Sequence, residues 1–159
     1  MQPQQKQRGK VGDNLQRDIK SIVNQLVRKY HTRNPYELCD CTDVLVQIGD
    51  LGKIMGCYLL IKRQKCIMLN SSIIDTPLEK VVLSHELGHS RLHRKNDCYF
   101  YGSTFFNKAK EENEANTFAA ELLVPDEIIY SNPDLTKEQI ARMLGYTEMI
   151  MEFKNIGKK

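Results

Sequence analysis

The chain has 159 residues, of which 41% are hydrophobic and 27% charged, with a formal net charge of +3. This is enough length for one domain with a real core, and the usage is that of an ordinary globular protein, which excludes disorder of the whole chain. The mildly positive balance neither requires nor excludes a nucleic-acid partner, and no apolar run reaches the roughly 18 residues that a membrane span needs.

Residues 1–13 are rich in Gln, Lys and Gly and read as a disordered tail without the apolar segment of a secretory signal. From Leu15 a helical pattern begins, with Leu15, Ile19, Ile22, Val23, Leu26, Val27 and Tyr30 recurring at three- and four-residue steps. Asn34-Pro35-Tyr36-Glu37 starts a second helix: Asn34 caps, Pro35 suits the first helical position, and Glu37 is placed to bond back. Gly49, Gly52 and Gly56 mark loops around a short apolar stretch. Cys57–Ile61 and Cys66–Leu69 read as two strands of a hairpin, joined tightly by Lys62-Arg63-Gln64-Lys65.

Thr76-Pro77-Leu78-Glu79 has the form of a capping box and opens a helix expected from Pro77 to about His93. Asp97–Asn107 is a Tyr- and Phe-rich loop. A further helix spans about Lys108–Val124 and stops at Pro125. Thr136-Lys137-Glu138-Gln139 is another capping box, opening a short helix that ends near Gly145. Residues 151–159 form a basic tail. The order of elements gives an α+β fold: one domain, residues 14–150, with helices packed on a small antiparallel or mixed sheet.

The cysteines are Cys39, Cys41, Cys57, Cys66 and Cys98. An odd count in a chain of this length fits reduced thiols in a cytoplasmic protein better than a disulfide framework. Cys39-Asp40-Cys41 has no second close pair, so free thiols are the simpler reading than a metal site.

The chemistry concentrates in His85-Glu86-Leu87-Gly88-His89. Residues four apart lie on one helical face, so His85 and His89 can direct imidazoles at one ion, and imidazole suits zinc. Glu86 stands about 100° round the helix. It is poorly placed as a ligand and well placed to take a proton from a water at the metal, the general-base role of H-E-x-x-H peptidases. The pattern arises by chance in fewer than ~1% of chains of this composition. Two solvated histidines on a surface helix would be the bland alternative, but Val81, Val82, Leu83 and Leu87 make the helix largely buried.

A catalytic zinc usually takes three protein ligands. His93 continues the same face, but a rigid helix carries it about 6 Å further along the axis. It therefore reads as packing or as a support to a ligand. The metzincin pattern is absent, with Leu92 and Lys95 at its two positions. In the acidic segment Glu111–Leu123, a helical wheel places Glu112, Ala115, Asn116, Ala119 and Leu123 on one face of mainly small, apolar residues. Glu112 is accordingly the expected third ligand, and Asn116, one turn on, is placed to orient a ligating imidazole. Glu111 sits at the flank. Glu114 and Glu121 lie on roughly the opposite side and read as solvated charges.

These residues resemble the ImmA/IrrE family of metallopeptidases. The resemblance rests on the stretch from His85 to His93 and, more specifically, on the stretch from Glu112 to Pro125. Asn34–Leu38 and Ile67–Asn70 also look like family elements, and the likeness covers about residues 20–145. Val124 stands where the family usually has Met before the proline. The resemblance implies a compact gluzincin-like fold with zinc held by two His and one Glu. It also implies an anti-repressor that cleaves a helix-turn-helix repressor of a phage or integrative element. The short chain looks closer to the stand-alone ImmA type.

The expected reaction is peptide hydrolysis by a metal-activated water, with Glu86 as base and then acid. Tyr99, Tyr101 and His93 are candidates for a donor to the developing oxyanion. The strand Cys66–Asn70 is a candidate to receive substrate by strand addition. One alternative is a non-proteolytic module that sequesters a repressor and uses zinc structurally; another is a small general peptidase. Thr136–Gly145 resembles half of a helix-turn-helix, but a docking or packing helix fits it better, and direct nucleic-acid binding is not expected.

Overall fold

The computed structural model describes residues 18–93 and 105–156. The expected N-terminal tail, Leu15, Cys98, Tyr99 and Tyr101 lie outside the described residues. The elements run α1 (Ile19–Tyr30), α2 (Pro35–Cys41), β1 (Val44–Gly49), β2 (Gly56–Ile61), β3 (Gln64–Asn70), α3 (Glu79–Leu92), α4 (Phe105–Leu123), α5 (Asp126–Tyr130) and α6 (Lys137–Met143), with 3-10 turns at Ser71–Ile73 and Glu148–Glu152. The α+β class therefore stands. No described helix is long and apolar enough to cross a membrane.

The first two helices start as their sequences require. Asp18 caps α1 by accepting from the Ser21 amide at 3.0 Å. Asn34 caps α2 by accepting from the Tyr36 amide at 3.0 Å. Glu37 does not bond back to Asn34. The Thr32 hydroxyl takes the Glu37 carboxylate, and Thr32 also accepts from the Asn34 amide.

The sheet has the order β1-β3-β2, with β1 parallel and β2 antiparallel to β3. The hairpin connection is tighter than expected. Gln64 and Lys65 are already paired in β3, and only Lys62 and Arg63 turn, both with positive φ (47° and 72°). Two left-handed residues match the twist of a two-residue hairpin. The strand β1 leads into Gly49, at a place where sequence alone carries no strand expectation. Because β1 occupies one side of β3 and β2 the other, β3 is central. It has no free edge for a substrate strand, which corrects the expectation for Cys66–Asn70.

The helix of the H-E-x-x-H motif starts two residues later than Pro77. Thr76 accepts from the Leu78 amide at 3.3 Å, but the Glu79 carboxylate reaches the Asp75 amide (2.7 Å) and the Tyr36 hydroxyl (2.6 Å) instead of closing a box on Thr76. The expected box at Thr136 does form, with both of its bonds to Gln139.

The main core joins Ile19, Val23 and Leu26 of α1, Leu38 of α2, Val44, Tyr58, Ile67 and Leu69 of the sheet, Leu83 and Leu87 of α3, and Phe118 and Leu122 of α4. A second cluster packs Ala120, Leu123 and Val124 against Ile140, Ala141, Ile150 and Met151. Helix α4 stands between the two. Residues 151–156, assigned by composition to a basic tail, are packed in part: the Lys154 side chain is 1% exposed and sits 2.5 Å from Glu121 and 2.6 Å from Asp126. Glu121 is thus a buried partner of a lysine, contrary to its solvated placement on the wheel.

Two glycines let the elements close on the motif helix. A Cβ on Gly88 would lie 3.1 Å from Phe118 Cβ and 3.2 Å from Ala115 Cα, so α3 and α4 touch almost backbone to backbone there. A Cβ on Gly56 would stand 2.6 Å from Val82 Cγ1, so β2 presses on α3 just as closely. Gly88→Val drives two methyl groups into backbone that cannot step aside. The expected cost is about 1–3 kcal/mol, at roughly 2–4 °C of melting temperature per kcal/mol for a chain of this size. Thermal unfolding followed by circular dichroism checks this, and an unchanged midpoint contradicts it.

Candidate metal centre

Helices α3 and α4 each contribute two residues one turn apart, His85 with His89 and Glu112 with Asn116. Their packing brings three donor atoms together. His85 Nε2 lies 3.1 Å from His89 Nε2, and the two nitrogens lie 3.3 and 3.4 Å from the two oxygens of Glu112. This is the one group of three potential ligands converging within 4.8 Å among the described residues. A tetrahedral ion with bonds of about 2.0–2.1 Å separates its ligands by about 3.3–3.4 Å. The observed distances are near that size, with the two contacts to Glu112 ending on different oxygens, so the donor set suits a metal ion.

The electrostatics require a cation at this point. Two imidazole lone pairs and a carboxylate facing one another repel unless a proton or a metal sits between them. Burial pulls the His85 imidazole towards its neutral form, but the bond to Glu112 and the charge of Glu86 outweigh it and raise its pKa above the ordinary value. The same two histidines hold the Glu112 carboxyl far below the usual carboxylate range. The Glu112 side chain is 45% exposed, so the centre opens to solvent on this side.

Around this triangle the other expected residues are placed as follows. Asn116 Oδ1 lies 2.8 Å from His85 Nδ1, on the side of the ring away from the cluster. Glu86 is 9% exposed and points towards β2, where it takes a backbone hydrogen bond from Tyr58. Burial raises its pKa despite the nearby histidines. His93 is not carried a full pitch away. It is the C-cap of α3, with φ −125° and ψ 69°, and its ring folds back to put Nδ1 3.0 Å from His89 Nδ1. Its Nε2 lies 2.8 Å from Glu114 Oε2, and the two side chains are 4% and 12% exposed. With both nitrogens engaged behind His89, His93 does not face the cleft as an oxyanion donor.

Glu114 is the residue that sequence reasoning misplaced. Helical periodicity sorts one helix into faces. It does not show that the frayed end of another helix delivers a histidine to the far flank. Gly56, beside Glu86, was read only as loop punctuation. Among the described residues no cysteine belongs to this three-residue group, and burial pushes the Cys39 thiol up to about 12.

A cavity of about 330 Å³ adjoins His85 and Glu86, walled mainly by Met55, Val81, Val82, Met149, Ile150 and Phe153. Asn70 fixes one rim of it. Its amide donates to the Gly52 and Ile54 carbonyls at 3.0 and 2.7 Å, and this holds the loop that carries Met55.

Residues 39–154 match the peptidase M78 family, described as the IrrE N-terminal-like domain. The chain belongs to this family. It is also similar to uncharacterized immunity region protein 2 of Bacillus phage phi105, with 40% identity over 144 residues that cover 88% of this chain and 90% of the relative. A second relative is the metallopeptidase ImmA of Bacillus subtilis strain 168, 29% identical over 143 residues that cover 86% of this chain and 83% of that one. The family and these relatives support a metallopeptidase role connected with phage immunity, and the His-His-Glu triangle supplies a centre able to hold the metal of this M78 domain.

A metal entering the triangle must displace the protons that hold it together in the metal-free chain. The raised pKa of His85 means that this proton is bound at a higher pH than on an ordinary histidine. Glu112 stays ionised throughout and adds no proton of its own. Metal affinity is therefore expected to fall as pH falls through the His85 pKa, by up to ~10-fold per pH unit for each proton displaced. Metal titrations between pH 8 and pH 6 check this, and equal affinity at both ends contradicts it.

Proposed function

We propose that the chain is a zinc-dependent, site-specific endopeptidase that cleaves a helix-turn-helix repressor of a phage or mobile element, and so acts as an anti-repressor in the cytoplasm. The observation that carries this reading is the buried Glu86 carboxylate set beside two imidazoles and a carboxylate whose donor atoms converge at 3.1–3.4 Å. His85, His89 and Glu112 are the proposed ligands, and Asn116 orients His85. Zinc, when bound, would polarise the scissile carbonyl and make a water acidic near neutral pH.

The chain's own residues do the rest. Glu86, whose pKa is raised by burial, accepts the proton of the attacking water and returns it to the leaving amine. The Tyr58 amide restrains the Glu86 carboxylate, and Gly56 leaves room for it against β2. Strand β2 is at the sheet edge among the described residues, and its outer side meets Glu86. An extended peptide segment would pair there rather than on β3. Tyr99 and Tyr101 remain the proposed oxyanion donors.

The repressor as substrate is supported by the names of the relatives, one an immunity region protein and the other the metallopeptidase ImmA. A structural zinc in a sequestering module has no need of a buried carboxylate beside the ion. Glu86→Gln separates the two: it is expected to keep zinc and to lower cleavage by about 10²–10⁴-fold. The check is co-incubation with a candidate helix-turn-helix phage repressor, read by mass spectrometry with and without a chelator. Full repressor inactivation by zinc-loaded Glu86→Gln would sink the proteolytic reading.

A further inference from the structure

We propose that His93 and Glu114 form a positioning pair that decides which nitrogen of His89 faces the metal. The inference rests on the zinc-site reading above and extends it to two residues that lie outside the ligand triangle. Both are removed from water, at 4% and 12% side-chain exposure. Two polar side chains withdrawn from water and bonded to each other are a costly way to fill space compared with apolar side chains, which points to a use beyond packing.

The hydrogen-bond roles follow from the Glu114 carboxylate. A carboxylate only accepts, so the 2.8 Å contact with Glu114 Oε2 assigns the N–H of His93 to Nε2. In the proposed arrangement His93 is a neutral imidazole, so its other nitrogen accepts. His89 Nδ1 therefore donates across the 3.0 Å contact to His93 Nδ1. That leaves His89 Nε2 with its lone pair, and this is the atom 3.1 Å from His85 Nε2 and 3.4 Å from Glu112. His85 reaches the same state from the opposite side, where its Nδ1 donates to Asn116 Oδ1 at 2.8 Å. Each ligating imidazole has its own orienting partner, and Asn116 and Glu114 both come from α4. Such partners fix the ring and raise its basicity towards the metal.

The test is zinc affinity of the full-length chain, measured at one pH by competition with a chromophoric chelator, with thermal unfolding of the metal-free protein alongside. His93→Leu is expected to bind zinc about 10–100-fold more weakly. His93→Asn keeps an accepting δ-oxygen for His89 and is expected to recover most of that loss. Glu114→Gln, which still accepts but carries no charge, is expected to shift affinity in the same direction by less. Unchanged affinity in a folded His93→Leu protein overturns the proposal. Equal losses in His93→Leu and His93→Asn overturn it too, in favour of packing alone. If His93→Leu does not fold, Glu114→Gln decides, and wild-type affinity there overturns the pair. Failure of the wild type to bind zinc removes the metal-site reading and the pair with it, whereas the other outcomes remove the pair alone.

Discussion

The close contact of α3 with α4 at Gly88 is the constraint on which the rest depends. With only a hydrogen at residue 88, the Ala115 backbone and the base of Phe118 come within van der Waals reach of the motif helix. Each helix carries its polar pair one turn apart, and at this separation the two pairs meet. A side chain at Gly88 would move Glu112 away from His85 and His89 and open edges that now measure 3.1–3.4 Å. Phe118 and Leu122, buried on the same helix, lock the spacing from the core side.

That spacing creates an electrostatic demand as well as a site. Three electron-rich atoms converge, and only a cation at their centre relieves the repulsion. The surroundings prepare for it in different ways. Asn116 and the His93–Glu114 pair lie behind the imidazoles, while Glu86 sits to one side, against β2, with its pKa raised by burial. The proposed ligands of the ion are thereby kept apart from the residue proposed to handle a proton. The flank where Glu112 is half exposed is open to solvent.

Much of this was legible in the chain because it is local. The hairpin, the cap at Asn34, the box at Thr136 and the H-E-x-x-H helix all follow from short-range signals. Glu112 and Asn116 could be placed on one face because periodicity within a single helix carries that information. What was not legible depends on which elements become neighbours. Strand β1 is defined by pairing with β3, 21 residues on, in register from Val44 with Lys65 to Gly49 with Asn70. Glu114 and Glu121 seem equally solvated on a wheel, yet one meets a histidine from the end of α3 and the other Lys154 from beyond the expected domain end. The start of α3 was misread by two residues because Glu79 is drawn to Tyr36, a partner 43 residues away.

The central claim is that two imidazoles and one carboxylate, from two helices, hold a zinc ion. X-ray absorption at the zinc edge of the loaded full-length chain tests it directly. Expected is a first shell of nitrogen and oxygen at about 2.0–2.1 Å with imidazole scattering beyond it, and no sulfur. A sulfur shell at about 2.3 Å would place the ion on the cysteines and contradict the claim.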